Sequence, residues 1–233
     1  LSISFGEQQV LKNLSLHLMK GENLIVLGKS GSGKSVLIKC ITRLLQPQSG
    51  TVNVLGKNIS DASNKELGEL RKKIGFLFQS GALYDSMTVK ENLLFPLRRI
   101  KNKITEKEMQ EKIEETLDNV GLKDALNKMP SQLSGGMRKR IALARTIIVD
   151  PAIMLYDEPT TGLDPITSDE ISKLINDVQK KYHTSSIVIT HDMACARLVA
   201  DRVVMIRDGE LYAGGKLEEL EKSEDEWIKS FLK

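Results

Sequence analysis

The eight residues GKSGSGKS, Gly28 to Ser35, follow directly on the apolar run NLIVL and lead into a segment where Leu37, Ile38, Ile41, Leu44 and Leu45 fall at helical spacing ahead of Pro47. An apolar strand, a glycine-rich turn and a helix in immediate succession make the full phosphate-loop pattern. Its physical demands are narrow. Glycines let the backbone curl until consecutive N–H groups cradle phosphate oxygens, while Lys34 reaches the β and γ phosphates and Ser35 offers its hydroxyl to Mg2+.

Two further runs, IMLYD at 153–157 and SIVIT at 186–190, are apolar on both faces and separated by a helix-length segment, which suits a parallel sheet covered by helices. The first 60 residues alternate short β-like runs with turns, among them LSLHLMKGENLIVLG around Lys20-Gly21, and read as a small, largely antiparallel sheet wrapped around a buried strand. Residues from about 80 to 150 read as helical. There Thr105 and Glu108 form a capping box, Met109, Ile113, Leu117 and Val120 an apolar stripe, and Gly121 a stop. Asp208-Gly209 predicts a hairpin, and Ser223 with Glu226 a capping box for a short final helix carrying Trp227, Ile228 and Phe231.

No apolar run approaches the roughly 20 residues a spanning helix needs, so a membrane role has to come through a partner. With 34 basic and 31 acidic residues, the net charge of +3 is too balanced for a general nucleic-acid binder. The basic run RRIKNK at 98–103 reads as a solvated helix end rather than a site for nucleic acid or acidic headgroups. Cys40 and Cys195 match no metal spacing and read as reduced core residues of a cytosolic protein. No signal peptide is visible, and the first residue is Leu, as in a sequence trimmed at its extreme N-terminus.

Asp157 and Glu158 end the run IMLYD as adjacent carboxylates pointing to opposite sides of a strand, which permits separate work on Mg2+ and on an attacking water. His191 closes the last apolar strand, where it can serve a γ-phosphate or be structural. The stretch QLSGGMRKRIALAR at 132–145 starts a helix with Ser134 as cap and two glycines in the first turn. Bare N–H groups there make an anion site with no anion supplied locally.

Taken together, these motifs resemble the ATP-binding subunits of ABC transporters over nearly the whole chain, in the family's order. The resemblance implies a P-loop NTPase (RecA-like) α/β core with an antiparallel β subdomain and a helical subdomain. It makes 1–233 a single nucleotide-binding domain, with 1–79 and 151–233 as core and about 80–150 as helical subdomain. It assigns ATP to Phe5, stacked on adenine, and to Gly28, Lys29, Ser30, Gly31, Ser32, Gly33, Lys34, Ser35 and Val36. Catalysis falls to Glu158, His191, Lys34 and Gln79, Mg2+ to Ser35, Gln79 and Asp157, and the D-loop to Asp164. It also names the missing anion: Ser134, Gly135, Gly136 and Met137 meet the ATP held by a second copy, in a head-to-tail dimer closed by nucleotide. The permease is an integral membrane partner at the cytoplasmic face of the inner membrane, and Tyr84, Met87 and Phe95 either receive its coupling helix or pack the helical subdomain.

FQSGALYDSMTVKENLLFPLR at 78–98, LSGGMRKR with Met137 where most members have Gln, DEPTTGLDPIT, and Val36 in GKSVLIK are similar to the Mla/Mce-type ATPases. That similarity implies transport of phospholipid or another hydrophobic molecule with an Mce-domain lipid-binding protein. A transporter for a polar solute would keep every catalytic residue. A non-transport ABC ATPase is the remaining alternative, disfavoured by the absence of a long coiled coil or a second core.

Overall fold

The computed structural model describes residues 1–100 and 104–232. In chain order, β1 (Ile3–Phe5) and β2 (Gln8–Leu11) pair antiparallel, β3 (Asn23–Gly28) enters the core, and α1 (Lys34–Ile41) leaves the glycine turn. A second small ladder, β4 (Asn53–Val54) with β5 (Lys57–Asn58), precedes α2 (Asn64–Arg71) and β6 (Ile74–Leu77). Three helices follow, α3 (Val89–Ile100), α4 (Glu106–Asn119) and α5 (Gly135–Ile147). The chain closes with β7 (Ile153–Asp157), α6 (Pro165–Tyr182), β8 (Ser185–Ile189), α7 (Met193–Val199), β9 (Arg202–Arg207), β10 (Glu210–Gly215), α8 (Leu217–Glu221) and α9 (Glu226–Leu232).

A six-stranded sheet in the order β10-β9-β3-β8-β7-β6 carries the core. All neighbours are parallel except β10, which returns antiparallel on β9 through the Asp208-Gly209 turn, both residues at positive φ. Side chains alternate across β3: Ile25 and Leu27 join the cluster under α3 to α7, while Leu24 and Val26 join the cluster with α1, β1 and β2. The central strands β3, β7, β8 and β9 are thus buried on both faces, as their continuous apolar runs require, while β10 at the edge stays largely exposed. Cys40 and Cys195 are buried free thiols in these two clusters.

Three expectations change. The antiparallel part is two separate two-stranded ladders joined to the N-terminus by a Ser2–Ser49 bridge, and residues 13–19 form no strand. α1 ends at Ile41 rather than Leu45, because Arg43 turns into the left-handed region at φ 51° and the Arg71 side chain takes the carbonyls of Thr42 and Arg43. The final helix is capped by Asp225, whose Oδ1 accepts from Ile228 N–H at 2.9 Å, while Ser223 only turns the chain before it. The capping box of α4 and its buried stripe are as read. Of the basic run at 98–103, residues 101–103 lie outside the described residues.

Candidate functional site

The glycine turn sits at the C-terminal end of β3, between β9 and β8, where parallel strands of an open sheet diverge and leave a crevice. Gly31 (φ 80°) and Gly33 (φ 97°) take conformations that side chains disfavour. A Cβ on Gly33 would meet Leu11 Cδ2 at 2.5 Å. Ser32 Oγ is buried without a hydrogen-bond partner inside the turn. Lys34, buried at the start of α1, donates from Nζ to the carbonyls of Gly28 (2.7 Å) and Lys29 (3.0 Å). Burial pushes this ammonium below its ordinary range, and the carboxylates of Glu158 and Asp157 pull it back up.

Next to the turn, Ser35 Oγ donates to Asp157 Oδ1 at 3.1 Å, joining α1 to the end of β7. Burial raises the Asp157 carboxyl above its usual range, with the Ser35 hydrogen bond opposing. One hydroxyl and one carboxylate are hard oxygen donors of the kind Mg2+ prefers. Among the described residues no group of three or more His, Cys, Asp or Glu side chains could hold a metal. The donor set fits an ion that completes its shell with water and phosphate oxygens.

Glu158 takes a left-handed backbone at φ 51°, a strain of about 1–3 kcal/mol that surrounding contacts must hold. Its N–H donates to Ile189 O at 2.9 Å, its Oε2 accepts from Thr161 Oγ1 at 3.0 Å, and the same oxygen lies 2.9 Å from His191 Nδ1. The carboxyl is 14% exposed and the imidazole 64%, so the pair presents its histidine edge to solvent. The twist in the backbone aims Glu158 into a cavity of about 560 Å³. That cavity is shared by Ser30, Gly31, Gly33, Lys34, Ser35, Val36, Gln79 and His191, and by Val10 and Thr161, which motif reading does not single out.

Gly28, Lys29 and Ser32 complete the turn. Lys29 and Ser32 face a second cavity of about 500 Å³ that Trp227 of α9 also lines. Phe5 ends β1 half-exposed and lines neither cavity. Ser134, Gly135, Gly136 and Met137 form the N-terminus of α5, outside the cavity, with Ser134 Oγ accepting from Met137 N–H at 3.2 Å. Ser134 and Gly135 are exposed. Asp164 caps α6, accepting from Thr167 N–H at 3.0 Å and Thr167 Oγ1 at 2.6 Å. Burial aside, these two hydrogen bonds hold its carboxyl below the ordinary range. Thr167 packs directly over Gly136, so the start of α6 and the start of α5 form one surface.

Two residues of the stretch at 132–145 to which motif reading gives no role also reach the site region. Lys139, buried on α5, donates to the backbone carbonyls of Gln79 and Glu158. Arg145, two turns on, donates to those of Ala82 (2.8 Å) and Gly81 (3.3 Å). The available signal was a lysine in helical register with the buried Ala142 and Thr146, where a charge has no place without a partner.

Residues 11–161 match the family described as ABC transporter. The whole chain aligns at 39% identity with a probable ribonucleotide transport ATP-binding protein, mkl, of Mycobacterium leprae, covering 67% of that protein. It aligns equally, at 39% identity, with the intermembrane phospholipid transport system ATP-binding protein MlaF of Haemophilus influenzae, covering 88% of it. The chain thus spans about two thirds of the mycobacterial relative. Among solved structures, the ATP-binding cassette MJ0796, a dimer in a post-hydrolysis state with ADP and Pi, superposes with a TM-score of 0.84 at 33% identity, over 93% of this chain and 95% of that one.

Proposed function

This chain belongs to the ABC transporter family as an ABC-type ATPase, and from that premise we propose that it powers a bacterial transporter for phospholipid or another hydrophobic molecule. The observation that carries the catalytic reading is the convergence of Lys34, Ser35, Gln79, Glu158 and His191 on one cavity. In this reading the phosphates of ATP replace the Gly28 and Lys29 carbonyls as partners of Lys34. Ser35, Asp157 and Gln79 hold Mg2+, which when bound offsets charge on the phosphates. Glu158 orients the attacking water, and His191, bonded to Glu158, reaches toward the γ-phosphate. Phe5 stacks on adenine once nucleotide is bound.

A second copy completes the site. The exposed cap at Ser134 and Gly135 offers bare N–H groups to the nucleotide of the other copy. Beside it Ile166 is 75% exposed, an apolar side chain suited to a partner surface. Residues from about 80 to 150 act as the helical subdomain. Tyr84 and Phe95, edge to face at 5.0 Å beside a cavity shared with Met87 and Leu94, are its dock for the permease. In this reading a permease holds the ATPase at the cytoplasmic face of the inner membrane; no helix among the described residues is long and apolar enough to cross a membrane.

The lipid reading is supported by the motif similarity around Phe78–Arg98 and Met137 and by the near full-length alignment with the phospholipid-system ATPase. The equal identity to the ribonucleotide-system protein supports a polar cargo as the second reading. One preparation tests both levels. Glu158→Gln in the complex purified from native membranes is expected to bind ATP, lose turnover by at least about a hundredfold and accumulate as a closed dimer; unchanged hydrolysis rejects the assigned base. An Mce-domain protein in that complex supports lipid cargo, and a solute permease without one rejects it.

A further inference from the structure

We propose that Lys139 is a positioning residue for ATP hydrolysis, locking the backbones of Gln79 and Glu158 to the helix whose N-terminus carries Ser134–Gly136. The proposal rests on the catalytic reading of Glu158 and Gln79 above. Lys139 is 7% exposed, and its ammonium, with three donors and no acceptor, spends two of them on the carbonyls of Gln79 and Glu158 (3.3 Å to the latter). Among the described residues no other side chain donates to either carbonyl; the Glu158 carbonyl also receives Thr161 N–H at 3.4 Å.

The same helix face grips the rest of the loop. Ala142 lies against Gly81, where an added Cβ would stand 3.3 Å away, and Arg145 donates to the Gly81 and Ala82 carbonyls. Lys139, Ala142 and Arg145 follow one another three residues apart, so a single stripe of α5 holds residues 79–82. On the other side, the Glu158 peptide is anchored to β8 through its N–H and Ile189 O. Its left-handed conformation leaves the carboxylate sensitive to any shift at its carbonyl. Lys139 is therefore the point where α5, the Gln79 loop and the Glu158 turn meet.

From Ser134 to Lys139 the helix runs about 7.5 Å as a rigid rod. A displacement of its N-terminus, imposed by nucleotide on the second copy, is carried by Lys139 to Gln79 and Glu158 together. A purely packing role would be met by an apolar side chain at this depth; instead a buried amino group is held by two backbone carbonyls.

The test compares Lys139→Met, close in length but without donors, with Lys139→Gln, which retains an amide donor, in the purified complex. Lys139→Met is expected to lower kcat roughly tenfold to a hundredfold with the ATP KM within about twofold, because aim is lost while phosphate contacts remain. Lys139→Gln is expected to recover most of that loss. Wild-type kcat in Lys139→Met overturns the proposal. So does a loss that raises KM in parallel, follows a fall in Tm and is not relieved by Gln. Should Lys139→Met not fold, the same split is read from Lys139→Gln at smaller size, and failure of both to fold assigns a structural role and overturns the proposal. Glu158→Gln in the same assay separates the two levels: if it hydrolyses ATP normally, the catalytic reading fails, whereas if it is inactive and Lys139→Met is not impaired, the positioning role alone fails.

Discussion

Gly136 has no room for a side chain: an added Cβ would stand 2.5 Å from Thr167 Cγ2, and Thr167 is pinned by two hydrogen bonds to Asp164. Gly136→Ala therefore has to push α5 away from α6 or break the Asp164 cap, at about 1–3 kcal/mol. Thr167→Ser keeps the hydroxyl that Asp164 binds and deletes the methyl in the way. The double variant is expected to recover most of the stability lost by Gly136→Ala, as a urea-unfolding double-mutant cycle would measure, and an additive cycle rejects the contact. The glycines themselves were legible as a helix start, since Ser134 followed by two glycines has a direct backbone meaning. Thr167 was not, because its partner lies on another helix and no local pattern records the approach. Lys139 falls between these cases: a lysine in a buried register signals a partner without naming it.

At the level of elements, periodicity and local capping gave reliable boundaries wherever the cap was itself local, and misplaced them where a distant side chain decided. Thr105 and Glu108 satisfy each other within one turn, and α4 begins where they put it. α1 stops early because Arg43 turns left-handed and Leu44 N–H bonds back to Lys39 O at 2.8 Å, while Arg71 of α2 takes the freed carbonyls of Thr42 and Arg43, and nothing in 34–45 announces that donor. For α9, Ser223 and Asp225 were both competent caps by type. Asp225 prevails because its second oxygen accepts from Tyr212 OH of β10 at 2.7 Å, which fixes it over the helix end, and Tyr212 in turn packs on Trp227. Asp225→Ala is accordingly expected to lower Tm by roughly 2–4 °C, and Ser223→Ala to have a smaller effect. A thermal scan of both variants checks the order, and an equal or reversed effect rejects the reassigned cap.

Across the whole molecule, segments far apart in sequence are tied at the N-terminal ends of β3 and β9, the end of the sheet away from the glycine turn. Glu22, just before β3, receives Arg202 Nε at 2.6 Å and Met19 N–H at 2.7 Å, and Arg202 also donates to His17 O. One residue on, Asn23 N–H donates to Asp201. This lattice fixes the register of β3 on β9, and so where the glycine turn stands relative to the strands that flank it. Burial acts to raise the Glu22 carboxyl, but the hydrogen bond and charge of Arg202 and the Met19 N–H outweigh it, leaving the group below its ordinary range. A carboxylate depressed on folding contributes stability above its unfolded pKa of about 4.3, and that contribution disappears as pH falls through the lower folded value. Arg202→Met removes the main opposing interaction, so burial then dominates and Glu22 protonates at higher pH than in the wild type. The variant is expected to be about 2 kcal/mol less stable at pH 7. Because protonation relieves the stranded charge first in the variant, the gap should begin to close above pH 4.3 or so and be largely gone once wild-type Glu22 is protonated as well. Urea unfolding of both proteins between pH 7 and pH 3 measures it. A gap that stays constant over this range would place the effect of Arg202 in packing alone, and the register of the sheet would then owe nothing to the ionisation of Glu22.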